Sequence, residues 1–294
     1  MDQLIKELLN IDYESLNLSF IKRDIEVVCN HFYYSKLRLA VFAPFNHGKS
    51  TLINAFLGTN CLPINLFPTT ATAIVIKYGQ KIKTRIITHD HQEIYQDGTE
   101  ILQQFAVLDH TRQIPQDILS IEVEYPHPLL AKGVELIDLP GTNDIDTQDE
   151  FIYNQLLTVD LVIPVIDARK PLSMSEMDKL RNWLFHRGIN IAIFVLNFMN
   201  LIEESEERRK IFNRTVLIAE KFRGNLPYNI SNFYFVDALP ALRSRLKNNL
   251  ELALQSGIIT FDSGIEQIVN FMLPQMKQLR FPRIQMMANK IYNK

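Results

Sequence analysis

The stretch "APFNHGKST", residues 43–51, decides how this chain is read. It follows a short β-rich run, "LRLAVF", and leads into "STLINAFLG", whose pattern predicts a helix that stops at Gly58. Strand, loop and helix in that order are the setting of a phosphate-binding loop. There, consecutive backbone N–H groups line a concavity at a helix N-terminus, where partial positive charge also favours an anion. Gly48 stands where the backbone must come closest to phosphate, Lys49 can neutralise terminal phosphate oxygens, and the Ser50 hydroxyl can hold Mg²⁺. Ala43 replaces the first glycine of such loops, whose task is a sharp turn. It fits without strain if its φ is negative, and a positive φ would cost about 1 kcal/mol.

Two later stretches extend the pattern. "GVELIDLPG", residues 133–141, reads as a buried strand delivering Asp138 at its C-terminal end, where α/β sheets place ligands. Asp138 can reach the water shell of Mg²⁺, and Gly141 can offer its N–H to a γ-phosphate. In "LPINLFPTTATAIVIKYG", residues 62–79, Thr69 and Thr70 precede a strand. A threonine there can close over metal and γ-phosphate and let go after hydrolysis.

The remaining segments alternate. Residues 1–36 read as helix, "ATAIVIKYG" as a strand and "IKTRIITHDHQEIYQDG" as a polar-tipped hairpin. "SIEVEYP" and the strand ending at Asp138 are separated by a Pro-containing turn, with helices near residues 100–107 and 149–158. "VDLVIPVID", "INIAIFVLN" and "NFYFVDA" then alternate with helical segments, and helices run from residue 239 to the end. Short apolar strands between helices predict an α/β fold with a mainly parallel sheet covered on both faces. The expected organisation is a helical segment over 1–36, the nucleotide domain over 37–255, and a C-terminal helical segment over 256–294 packing on the N-terminal helix.

Composition narrows the function classes. A net charge of −2 gives no electrostatic reason to expect a nucleic-acid partner. Two cysteines, Cys29 and Cys61, lack metal-ligand spacing and suit a reducing, cytoplasmic setting. No run approaches the roughly 18 apolar residues of a membrane-spanning helix. The tail carries Lys277, Arg280, Arg283, Lys290 and Lys294 among apolar residues. It can either lie peripherally on an acidic membrane or pack as a helix on the N-terminal helix, the reading preferred.

Taken together, "NHGKSTLINAFLG", "LPINLFPTTATAIVIKYG", "GVELIDLPGTND" and "VDLVIPVIDARKPLSMSE" resemble the dynamin-like branch of large GTPases, particularly its bacterial members. The resemblance implies a GTPase fold with flanking helices, GTP and GDP as ligands, and Mg²⁺ as cofactor. It further implies pairing of two nucleotide domains, in a homodimer or with a partner dynamin-like chain. Phe45, Asn46, His47, Gly48, Lys49, Ser50 and Thr51 would form the phosphate loop, Thr69 or Thr70 the first switch, and Asp138 with Gly141 the second. Ser50, Thr69 and Asp138 would hold the metal. Asn46 matches a position that in potassium-activated GTPases contributes an oxygen to K⁺, with a plain turn residue as the alternative. Asp237 and Ala238, in "FVDA", fall where the last nucleotide loop belongs.

Two stretches depart from the family pattern, at Phe45 and at the Phe198 and Asn200 positions of the base-reading motif. Phe45 replaces the loop glutamine with which some relatives position water. The guanine-reading motif Asn-Lys-x-Asp is here "NFMN", Asn197 to Asn200. A carboxylate accepts from both N1–H and the 2-amino group of guanine, whereas the Asn200 amide offers one acceptor and one donor. Losing one such bond costs about tenfold to a hundredfold in affinity. The functions left open are a GTPase, a nucleotide-gated assembly module with little turnover, and a hydrolase of relaxed base specificity that includes ATP.

Overall fold

The computed structural model describes residues 1–43, 47–64, 73–105, 118–140, 152, 154–170 and 174–292. Among these are nine strands: β1 (Leu37–Phe42), β2 (Ile74–Tyr78), β3 (Lys83–Thr88), β4 (Glu93–Asp97), β5 (Ile118–Tyr125), β6 (Val134–Asp138), β7 (Leu161–Asp167), β8 (Phe194–Asn197) and β9 (Phe233–Phe235). They form one sheet in the order β4-β3-β5-β2-β6-β1-β7-β8-β9. The run β6-β1-β7-β8-β9 is parallel throughout. β2 is antiparallel to β6 and parallel to β5, and β3 is antiparallel to both β4 and β5. The fold is the expected α/β one, and the parallel half brings the C-terminal ends of β6, β1, β7, β8 and β9 to one edge.

Alternation along β1 sends its side chains to two cores, as the period of two in a strand requires. Leu37, Leu39 and Val41 face a cluster with Leu52 and Ile53, Ala241 and Leu242, and Phe261 and Ile265. These come from the helices Lys49–Leu57, Ala238–Leu246 and Ile258–Met272. Ala40 and Phe42 face the opposite cluster, with Leu180 and Leu184 from Met174–His186 and Ile211 and Ile218 from Ser205–Glu220.

The N-terminal segment differs from the single helix expected. It forms two, Asp2–Leu9 and Ser19–Phe32. Between them the Asp12 carboxylate accepts the Ser15 N–H at 3.3 Å, and Asn17 takes a left-handed φ of 55°. Side chains that bond their own backbone compete with helix, so the period breaks there. A short helix, Pro128–Ala131, likewise fills what reads as a bare turn, with the Leu129 N–H donating to His127 Nδ1 at 3.2 Å.

The predicted C-terminal segment divides between two cores. Ile258–Met272 belongs to the cluster under Lys49–Leu57. The helix Met276–Tyr292 places Ile284, Met287 and Ile291 against Ile5, Leu8, Ile25 and Cys29 of the N-terminal helices. A buried ionic group joins this third core to the sheet. Arg280 Nε and Nη2 donate to the two oxygens of Asp160, both at 2.7 Å, and Nη1 donates to the His31 carbonyl at 2.9 Å. Arg283 donates to the carbonyls of Leu157 and Val159 at 2.8 and 2.7 Å. Two of the tail's cations are therefore spent inside the protein, not presented to a surface.

Candidate nucleotide site

The candidate site residues sit at or just past the C-terminal ends of parallel strands, where a crevice opens in α/β sheets. After β1, Gly48 begins the helix Lys49–Leu57 with φ 86°, and the helix start has no side-chain cap. A helix N-terminus entered through a left-handed glycine at the end of a parallel strand is the setting in which anions are held. Gly48 is required for space as well as for φ. A Cβ there would lie 2.3 Å from Asn197 Nδ2. Among the described non-glycine residues, positive φ occurs at Asn17, His91, Phe198 and Asn248, and Ala43 is not one of them. Ala43 therefore fits its buried position without backbone strain.

Lys49 Nζ lies 3.1 Å from Asp138 Oδ1, and the Ser50 hydroxyl donates to Asp138 Oδ2 at 2.9 Å. All three side chains are buried. A lysine, a hydroxyl and a carboxylate thus meet in one buried cluster. Their chemistry matches a polyphosphate with a divalent cation, which could take the lysine and the two oxygen ligands respectively. The fit to Mg²⁺ is good, because that ion takes one or two protein oxygens and fills the rest of its octahedron with water and phosphate.

The base end hangs on Asn197, which is 1% exposed. Asn197 Nδ2 donates to the His47 carbonyl at 2.9 Å, while its Oδ1 accepts the N–H groups of Phe198 at 2.8 Å and Ala238 at 3.0 Å. One planar amide thereby ties the phosphate loop to the ends of β8 and β9. His47 adds a strut, its Nδ1 accepting the Asp167 N–H at 3.3 Å. Phe198 has φ 65°, an uncommon conformation for a bulky residue, and the Arg169 guanidinium lies 4.2 Å from its ring centroid. Arg169 is itself held by Asp167, with Nε and Nη2 donating at 3.0 and 2.7 Å. Burial alone would raise the Asp167 carboxyl, but Arg169 outweighs it and holds the group below the usual range. Asp237 Oδ1 accepts the Asn200 N–H at 3.2 Å.

A family model described as the Dynamin family matches residues 39–199, more than half of the chain. The chain belongs to the dynamin family.

Among curated relatives, the bacterial dynamin-like protein of Nostoc punctiforme is 28% identical over 254 residues, covering 78% of this chain and 36% of its own length. An uncharacterized protein in the xynA 3' region of Caldicellulosiruptor is 26% identical, covering 85% of this chain and 59% of its own. This chain thus spans about a third of the first of these relatives and about three fifths of the second. A solved structure of an oligomerised bacterial dynamin pair, described as a mechanism for long range sensing and tethering of membranes, superposes with a TM-score of 0.63. It is 19% identical and covers 99% of this chain and 46% of its own. That likeness concerns the fold. Among the described residues, no helix is long and apolar enough to cross a membrane.

Of the residues expected from the dynamin pattern, the structure brings together His47, Gly48, Lys49, Ser50 and Asp138 at one end and Asn197, Asn200, Asp237 and Ala238 at the other. Thr51 lies on the helix between. The Ala238 N–H is taken by Asn197. Phe45, Asn46, Thr69, Thr70 and Gly141 lie outside the described residues. Asp167 and Arg169 were not picked out from sequence. The available signal was an Asp-x-Arg at the end of a buried strand, but only the parallel pairing of β7 with β8 brings Arg169 over Phe198.

Proposed function

We propose that this dynamin-family chain binds GTP with Mg²⁺ and hydrolyses it by attack of water. The observation that carries the reading is the convergence of Lys49 and Ser50 on Asp138 beside the left-handed Gly48. With nucleotide bound, Lys49 would turn from Asp138 to phosphate oxygens, and Ser50 and Asp138, with Thr69 or Thr70, would hold Mg²⁺. Bound Mg²⁺ would neutralise charge developing on the phosphates and orient them. The loop amides after Gly48 hold the phosphates in line, so catalysis is positioning and electrostatics.

Phe45 provides no polar group to orient water, so turnover of a lone chain is expected to be slow and to rise when two nucleotide faces meet, as homodimer or with a partner dynamin-like chain. Asn46 is proposed as an oxygen donor to K⁺, which would supply positive charge beside the transferred group. Action at a membrane surface is proposed from the relatives' descriptions. A second reading, nucleotide binding with negligible hydrolysis, is favoured by Phe45 together with the altered "NFMN".

Phosphate release from GTP and from ATP across a protein concentration series, in K⁺ and in Na⁺, tests both. GTP-selective turnover that climbs with concentration and is lost in Lys49→Ala supports the GTPase. Nucleotide binding without release supports the second reading, and Lys49→Ala turning over as fast as the parent sinks the first.

A further inference from the structure

On the reading that this site holds a guanine nucleotide, we propose that Asp237 provides the carboxylate that reads the guanine edge, a task the amide at Asn200 performs only in part. The need is chemical. Guanine presents two parallel donors, N1–H and the 2-amino group, and a carboxylate accepts both while an amide accepts one. Asp237 is the carboxylate that the structure sets against position 200, since its Oδ1 accepts the Asn200 N–H at 3.2 Å.

The scaffold makes the transfer conservative. β8 and β9 are parallel neighbours, with Leu196 paired to Phe235, so their C-terminal ends open onto the same crevice. A carboxylate at the end of β9 enters that crevice from one strand over. The next residue is pinned in place, because the Ala238 N–H donates to Asn197 Oδ1, whose amide also holds the phosphate loop through His47. Asp237 is thereby fixed relative to both ends of the nucleotide. Burial raises its carboxyl above the usual range, against the amides of Asn200 and Met199 and the charge of Arg208 that pull it down. A carboxylate undercompensated in this way gains from two further N–H donors.

The plainer role for Asp237 is to hold the turn Met199–Leu201 through those amides. The two roles separate on the ratio of two ligands, because xanthine carries a carbonyl where guanine has its 2-amino group. Calorimetric titration of the full chain with GDP, XDP and ADP is the measurement. The parent should prefer GDP over both others by about tenfold or more. Asp237→Asn should weaken GDP by about tenfold or more and tighten XDP, since the new amide can donate to the xanthine carbonyl. A GDP to XDP ratio unchanged in Asp237→Asn, with both weakened alike, leaves Asp237 a turn residue and overturns the proposal. Asn200→Asp provides a check that does not depend on the first variant folding. It should leave GDP affinity within a few-fold of the parent if Asp237 already supplies the acceptors, and a gain of about tenfold would make position 200 the reader and overturn the proposal. A parent that binds ADP as well as GDP overturns this assignment and leaves triphosphate binding intact. A parent that binds none of the three overturns the GTPase reading with it.

Discussion

Gly48 is constrained twice, by φ 86° and by Asn197 Nδ2 standing 2.3 Å from where a Cβ would be. Gly48→Ala must therefore twist the loop or push Asn197 off its three partners. It is expected to cost about 1–3 kcal/mol of stability and to abolish nucleotide binding, measured by urea unfolding and by calorimetry. Asn197→Ala leaves the buried Ala238 N–H without its acceptor and should cost about 2 kcal/mol in the same unfolding experiment. Ala43 and Arg169 mark how far single residues were legible. The effect of Ala43 reduced to the sign of one local dihedral, which the sequence could pose as a clear alternative. The place of Arg169 over Phe198 depends on two strands that meet across the sheet, and no local pattern encodes that distance. Arg169→Ala, which frees the Phe198 ring and leaves Asp167 nearly buried without its cation, should weaken GDP binding and lower the midpoint of thermal unfolding.

At the scale of elements, the flanking helices were legible as helices but not as a break at residues 10–18, because there individual Asp and Asn side chains override a ragged apolar period. Their attachment to the sheet is ionic as well as apolar. His31 Nε2 lies 3.0 Å from Asp160 Oδ1, with Arg280 and Arg283 also beside it. Burial first, then the two arginines, lower the His31 pKa from 6.5 to about 4 against the pull of Asp160. Between those values the unfolded chain holds a proton that the folded chain does not, so stability falls as pH is lowered from 6.5 to about 4. Burial raises Asp262 to about 7, a change of opposite sign over part of this range, and it is distinct from the His31 group. The parent minus His31→Gln difference in unfolding free energy removes that contribution. It should shrink by about 2–3 kcal/mol from pH 7 to pH 4.

For the whole molecule, the alternation of strands and helices was enough to give the layered α/β arrangement, since that follows from local period and length. The order of strands was not. β2 lies between β5 and β6, parallel to one and antiparallel to the other, and only the paths of the connections decide that. The third core, where Ile284, Met287 and Ile291 meet the N-terminal helices, lies apart from the nucleotide crevice. Removing residues 276–294 would expose that core and strip Asp160 of Arg280. The expected result is a lower urea midpoint, measured on the shortened chain.

The Asn197 amide has a further consequence for folding order and for observation. It closes contacts to residues 47, 198 and 238, so it can form only after both halves of the parallel sheet have come together. The Ala238 amide proton, buried and held by a side chain, is expected to exchange with solvent only when that crevice opens. Deuterium uptake at that one position follows the integrity of the crevice without any label on the nucleotide.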